Sequence, residues 1–323
     1  MSADTTILLH TGTHKTGSTS LQKTLDEHRN ALRDVGVTYL GTGGPYPNLY
    51  SAFLPDPMSF VWNRHSGLDE PALRARDAET LETLEQDLAR ARGTTVVISS
   101  EYLSMLDEDA LARLRDFLAR HGRVQAIYYY RELHSWISSD SQQLAKAGLR
   151  VRPTQYDTAI QRLYDIPLKI ARVFGRDDTT FVKFEEAVKA GICDSLLSRF
   201  GLPTLSSLGL AERHANASVS AEAVRALFLY NHLHPLGSPT RRKRDIDRLC
   251  KLPGEKYRTA GFWPKQISDY AAKRAEIEDR LGLRLAPPEA LPVSEGPDPV
   301  LEELLRMTNR RLWQLAQPEG ERR

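Results

Sequence analysis

Four short runs of apolar, β-branched and aromatic residues alternate with helix-period stretches along this 323-residue chain, at Thr5–His10, Thr95–Ile98, Val124–Tyr130 and Thr180–Phe184. The intervening stripes are Leu21, Leu25 and Leu32, ended by Gly36; Leu81, Leu84 and Leu88; and Leu111, Leu114, Phe117 and Leu118. A further helix is expected from about 159 to 174, kinked or split by Pro167, whose ring removes a backbone donor. Antiparallel strands need only tight turns, whereas parallel strands need a crossover, so this alternation predicts a three-layer α/β fold with a parallel sheet between helices. Beyond Gly201 strand signals fade, and helices are expected near 220–232, 265–281 and 299–315. The expectation is one domain over 1–323, with a mostly helical extension over 202–323 packed on the same core.

Composition narrows the function classes. The 44 Lys and Arg against 42 Asp and Glu leave a net charge of +2, so the surface as a whole is not built to neutralise nucleic-acid phosphates, and any anion site must be local. Two cysteines, Cys193 and Cys250, cannot supply a disulfide framework or a four-thiolate zinc site, which points to a reducing cytoplasm. No run approaches the roughly 20 apolar residues of a membrane span, so no integral membrane association is expected.

In a parallel sheet, ligands sit at the carboxyl ends of strands, where helix N-termini offer unpaired N–H groups to anions. The loop after the first strand occupies that place: Thr11-Gly12-Thr13-His14-Lys15-Thr16-Gly17-Ser18-Thr19-Ser20. Gly12 and Gly17 keep the glycine spacing of a Walker A loop, but Ser18 follows Gly17 directly and Lys15 falls two places earlier. The pattern is a phosphate loop with its lysine moved.

The segment His10–Leu21 resembles the 5′-phosphosulfate loop of the PAPS-dependent sulfotransferases, and its bacterial members most of all. The resemblance implies that Lys15 contacts the bridging oxygen of the sulfuryl donor PAPS and that Thr16, Gly17, Ser18 and Thr19 hold its 5′-phosphate. His14 stands where the family has proline, and Ser20 where it has an aromatic. Tyr128-Tyr129-Tyr130-Arg131 followed by Ser139 is similar to the strand, arginine and serine that bind the nucleotide 3′-phosphate in the family. An arginine at a strand end and a serine on the next helix can converge on one phosphate. Phe184-Glu185-Glu186 resembles a segment whose aromatic lies near the adenine, although Phe184 also suits a core position, and the stretch from Arg213 to Ser218 resembles one that folds back over the nucleotide. The basic run Arg241 to Arg244 reads as a cap for donor phosphates, as a contact for an acidic acceptor, or as a solvated face. The resemblance spans roughly 5 to 220.

Sulfuryl transfer needs alignment, positive charge on the leaving side and a base for the acceptor. It demands no metal, and none is expected. Glu101, just past the strand beginning at Thr95, is the first candidate base, and would lie beside the loop if these strands are neighbours. A glutamate there can equally serve the helix dipole. His65 is the rival. The aromatic-rich stretch from Gly41 to Glu70, with Tyr46, Tyr50, Phe53, Phe60 and Trp62, is expected to be a long loop shaping a pocket for a small-molecule, lipid or carbohydrate acceptor, or else a packed Ω-loop. The alternatives to a sulfotransferase are a P-loop kinase using ATP and Mg²⁺ and an inactive nucleotide-binding protein.

Overall fold

The structure is a computed structural model and describes residues 5–149, 155–213, 218–258 and 264–287. Five parallel strands form its sheet, β1 Thr6–His10, β2 Val37–Tyr39, β3 Thr95–Ser99, β4 Arg123–Tyr130 and β5 Thr179–Lys183, in the order β2-β3-β1-β4-β5. The helices are α1 Ser18–Glu27, α2 Arg29–Asp34, α3 Pro47–Ala52, α4 Val61–His65, α5 Glu70–Arg90, α6 Glu108–Ala119, α7 Leu133–Lys146, α8 Gln155–Ile160, α9 Ile166–Phe174, α10 Phe184–Ala190, α11 Ile192–Arg199, α12 Ala221–Leu233, α13 Lys243–Leu249 and α14 Pro264–Leu281.

Strand alternation sorts the core. Leu8, Val97, Ile127 and Tyr129 point to one face, where they join Leu21, Leu25 and Leu32 of α1 and α2 and Cys193, Leu196 and Leu197 of α11 in a single apolar cluster. Their neighbours Ile7, Leu9, Val96, Ile98, Ala126 and Tyr128 are fully buried as well, on the other face. A sheet buried on both sides is what near-continuous apolar strands require, and the expected α/β architecture is what the structure has.

Several local expectations are corrected. The first helical stripe is two helices, broken at His28. β2 was not anticipated, since three residues after Gly36 carry no measurable period. Phe184 does not end a strand but begins α10. Residues 41–70 are not one long loop: α3, a 3₁₀ turn at Pro57–Ser59 and α4 lie within them. A buried polar knot secures this segment to α5, with Ser51 Oγ donating to Asp77 at 2.6 Å, Asn63 Nδ2 donating to Ser51 Oγ at 2.7 Å, and Arg76 Nη2 reaching Asn63 Oδ1 at 3.0 Å. Ahead of Pro167 the chain forms a π-helical turn, Gln161–Asp165, which separates α8 from α9. The helix expected at 299–315 lies outside the described residues.

The described residues divide into two compact units, 5–132 with 160–213 and 274–285, and 133–149 and 155–159 with 218–258, 264–273 and 286–287. The first holds the sheet, and keeps the described residues from 202 to 213. The second has a small core of its own, Ala145 of α7 with Val219, Ala223, Val224 and Leu227. Within it Arg241 is bound to Asn231 Oδ1 at 2.8 Å and to the His234 carbonyl at 3.0 Å, which makes the first arginine of the basic run structural. No helix among the described residues is long and apolar enough to cross a membrane.

Candidate active site

The strand order makes β1 the switch point of the sheet: from it the chain builds outward to β3 and β2 on one side, and to β4 and β5 on the other. The crevice beyond the carboxyl end of such a strand is where doubly wound sheets bind ligands. Three segments meet there, the β1–α1 loop, the residues after β3 that begin with Ser100 and Glu101, and the end of β4 at Arg131. The loop is stitched to both flanks, since Ser100 N donates to the His10 carbonyl at 3.0 Å and Thr11 N donates to the Ile127 carbonyl at 2.9 Å.

The loop turns on two left-handed residues, Lys15 at φ 73° and Gly17 at φ 78°. For a lysine that conformation costs about 1–3 kcal/mol and needs a surrounding that imposes it. Arg131 supplies part of it, donating from Nη1 to the Lys15 carbonyl at 2.7 Å. Thr16 Oγ1 donates back to the Thr13 carbonyl at 2.5 Å, so this hydroxyl closes the turn. Gly12 leaves room for the His10 ring: a Cβ there would stand 2.4 Å from His10 Nε2. A Cβ on Gly17 would meet Ile192 Cδ1 at 2.2 Å. Both glycines therefore seat the loop against its own protein.

Gly17 caps α1 without a side-chain hydrogen bond, so no N-cap side chain covers the start of the helix beside the crevice. Ser18 Oγ is buried and has no hydrogen-bond partner among the described residues. A buried orphan hydroxyl costs about 1–3 kcal/mol, and a bound oxyanion would relieve it. Residues present thus fit a phosphate or sulfate group: a helix start without a side-chain cap, an orphan hydroxyl and cations around the loop. Thr19 is partly exposed on the first turn and Ser20 is buried.

Arg131 is largely buried, and that burial lowers its affinity for a proton, with Glu185 opposing. Its guanidinium sits 4.7 Å from the centre of the Phe184 ring. Phe184 is therefore beside the loop, its ring against Arg131 and its Cε2 3.2 Å from where a Gly17 Cβ would be. Arg162, which the sequence did not single out, donates from Nη1 to Thr13 Oγ1 at 3.1 Å. It projects from the π-helical turn, and Tyr128 Oη donates to its carbonyl at 2.6 Å.

On the β3 side Glu101 is 9% exposed. Gln22 Nε2 of α1 donates to its Oε2 at 2.9 Å, and its Oε1 lies 3.9 Å from His14 Nδ1. His14 is held as a neutral imidazole at neutral pH: burial first, then Arg162 and Lys15, lower its pKa to about 4. With the ring neutral, the contact is not an ion pair. His14 also meets the Tyr102 ring edge-on at 5.2 Å, and Tyr102 gathers Tyr50, Phe60 and Trp62 around it at 5.7, 5.2 and 6.4 Å. Trp62 remains 51% exposed. The aromatic segment thus walls the crevice on the Glu101 side.

Two expected site residues, His65 and Arg213, are not brought to the loop. His65 ends α4 exposed, without a hydrogen bond or ring contact among the described residues. Arg213 pairs with Glu27 in an exposed ion pair, and its N–H donates to Thr24 Oγ1 at 2.9 Å, toward the far end of α1 from the loop. Residues 214–217, also expected near the nucleotide, lie outside the described residues. Ser139 lies partly buried on the second turn of α7, in the second unit. Among the described residues no group of three His, Cys, Asp or Glu side chains is placed to hold a metal ion.

No family model and no curated protein matches the chain. Among solved structures it is similar to a sulfotransferase from Alicyclobacillus acidocaldarius, at 12% identity and a TM-score of 0.42 over 86% of this chain and 96% of that one. It is also similar to the sulfotransferase domain from the curacin biosynthetic pathway, at 15% identity and a TM-score of 0.37 over 88% of this chain and 99% of that one. Likenesses this distant assign no activity.

Proposed function

We propose that the chain is a PAPS-dependent sulfotransferase that moves a sulfuryl group to a hydroxyl or amine of a small-molecule, lipid or carbohydrate acceptor and releases PAP. One observation carries this reading: a single crevice at the sheet's switch point joins a strained Lys15 loop over an uncapped helix N-terminus to a buried carboxylate, Glu101, on its other flank. PAPS supplies the sulfuryl group and a nucleotide leaving group. The first-turn amides of α1 and the Ser18 and Thr19 hydroxyls would hold the 5′-phosphate, since they combine oriented donors with the positive end of the helix dipole. Lys15 would place its ammonium on the leaving side, where negative charge grows.

Glu101 is the base. Its ionised carboxylate would take the proton from the acceptor hydroxyl or amine as that atom attacks, and His14, neutral at working pH, can accept or donate a hydrogen bond beside it without adding charge. Arg131 would read the 3′-phosphate, with Phe184 packed under its guanidinium. The aromatic wall of Tyr50, Phe60, Trp62 and Tyr102 would face the acceptor, offering apolar and ring surfaces next to the base.

The test is release of PAP from PAPS in the presence of a panel of phenols, sugars and amines, beside release of ADP from ATP with Mg²⁺ on the same panel. Transfer from PAPS and none from ATP is the expected result. Transfer from ATP alone would make the protein a kinase with a displaced loop lysine.

A further inference from the structure

We propose that Gln22 is a positioning residue for Glu101, an assignment that rests on the reading of Glu101 as the base. Gln22 is 1% exposed and sits on α1 beside Leu21, one turn after the uncapped start of the helix. A buried amide in that stretch must find partners or destabilise the helix packing. It finds them at the end of β3: Nε2 donates to Glu101 Oε2 at 2.9 Å, and lies 3.3 Å from Ser99 Oγ and 3.4 Å from the Ser99 carbonyl. Ser99 Oγ in turn lies 2.8 Å from His10 Nδ1.

This chain has a direction. His10 is fully buried, and burial lowers its pKa to about 3, so at neutral pH its ring offers one acceptor and one donor. The Ser99 hydroxyl can accept from Gln22 and donate to His10 Nδ1, which leaves the Gln22 amide nitrogen turned toward the carboxylate. An ionised carboxylate only accepts, so the Gln22 amide N–H is the donor matched to Oε2. The same bond fixes the carboxylate in rotation, so that Oε1 points at the loop side, 3.9 Å from His14. Among the described residues, the titratable groups acting on Glu101 include His14 of the loop, Tyr102 next to it, and Tyr39 at the end of β2; burial raises the pKa of both tyrosines, with Glu101 adding to the rise. None of these is ionised near neutral pH. Gln22 is therefore the donor that steadies the carboxylate from within the helix which also carries the anion site, and it ties donor binding and base placement to one rigid element.

The experiment follows Glu101 directly. In ¹³C-glutamate-labelled protein without ligand, the Glu101 carboxyl resonance is assigned by its loss in Glu101→Gln and titrated in wild type, Gln22→Met and Gln22→Glu. Losing a hydrogen bond to a charged group should move the midpoint up by about one to two pH units in Gln22→Met. In Gln22→Glu, two carboxylates must share the site, and the shift should be at least as large. PAP affinity should change less than about threefold in both, while the acid limb of the PAPS turnover profile moves up in pH together with the midpoint. Should one variant fail to fold, the other reads the same midpoint. An unmoved midpoint in a folded variant overturns the proposal, whatever happens to turnover. Wild-type turnover in Glu101→Gln overturns the base assignment beneath it, a result the titration cannot mimic.

Discussion

Arg131→Ala separates two jobs that the structure gives one guanidinium. In the free protein Arg131 donates to the Lys15 carbonyl at 2.7 Å, a bond to a charged donor in a largely buried place, worth about 1.5–3 kcal/mol. That equals the roughly 1–3 kcal/mol of strain in the left-handed Lys15 backbone, so the substitution should leave the loop geometry marginal. Loss of the cation over Phe184 adds about 0.5–2 kcal/mol. The first consequence is common to every ligand of the loop: adenosine 5′-phosphate should bind up to about tenfold more weakly, and the melting temperature should fall by several degrees. The second is selective. If Arg131 also reads the 3′-phosphate, PAP should lose a further ten- to hundredfold, from a charge-assisted bond of about 1.5–3 kcal/mol. Calorimetry with both nucleotides on wild type, Arg131→Ala and Arg131→Lys measures the two losses, with lysine keeping charge but not the planar fork. Equal losses for the two nucleotides would refute the 3′-phosphate role and leave Arg131 as a loop tether only.

Three further outcomes are expected. Lys15→Ala should reduce turnover of PAPS by orders of magnitude and PAP binding much less, because its charge matters most on the leaving side; steady-state kinetics beside calorimetry checks the split. Ser18→Ala should cost about 1–3 kcal/mol in PAP affinity without lowering the melting temperature, since the hydroxyl has no partner in the free protein, and a destabilised variant with unchanged affinity would contradict this. Acid should destabilise the fold as pH falls from about 6.5 toward 3: the unfolded chain protonates His10 and His14 near their ordinary value, while the folded chain holds them neutral down to about 3 and about 4. His10→Gln should flatten that dependence in denaturant titrations, each histidine contributing at most about 1.4 kcal/mol per pH unit.

What could be read from the chain follows the strength of local patterning. β1, β3, β4 and β5 announce themselves as apolar runs because both faces of their sheet are buried, and the loop announces itself by glycines, lysine and hydroxyls in a fixed place after β1. β2 is three residues long, and α3 and α4 are short and start at or near prolines, so neither period nor length marks them. The break at His28 falls inside an unbroken leucine stripe. The site is harder to read where it depends on strand order: Glu101 is useful only because β3 adjoins β1, a condition no local pattern states. Arg162 and Gln22 are not marked by local pattern for the same reason, one carried in by a π-helical turn ahead of Pro167, the other one polar residue among several on α1. A glutamine next to Leu21 and three residues before Leu25 was the signal available for the second.

The central claim, that the β1–α1 loop is a phosphosulfate site at the switch point of the sheet, is tested most directly by a crystal structure of the protein with PAP. The 5′-phosphate should lie on the first-turn amides of α1, accepting from Ser18 Oγ, with the Lys15 ammonium beside its free oxygen and the Glu101 carboxylate across the crevice. A nucleotide bound elsewhere, or a 5′-phosphate that touches neither Ser18 nor Lys15, would contradict the account.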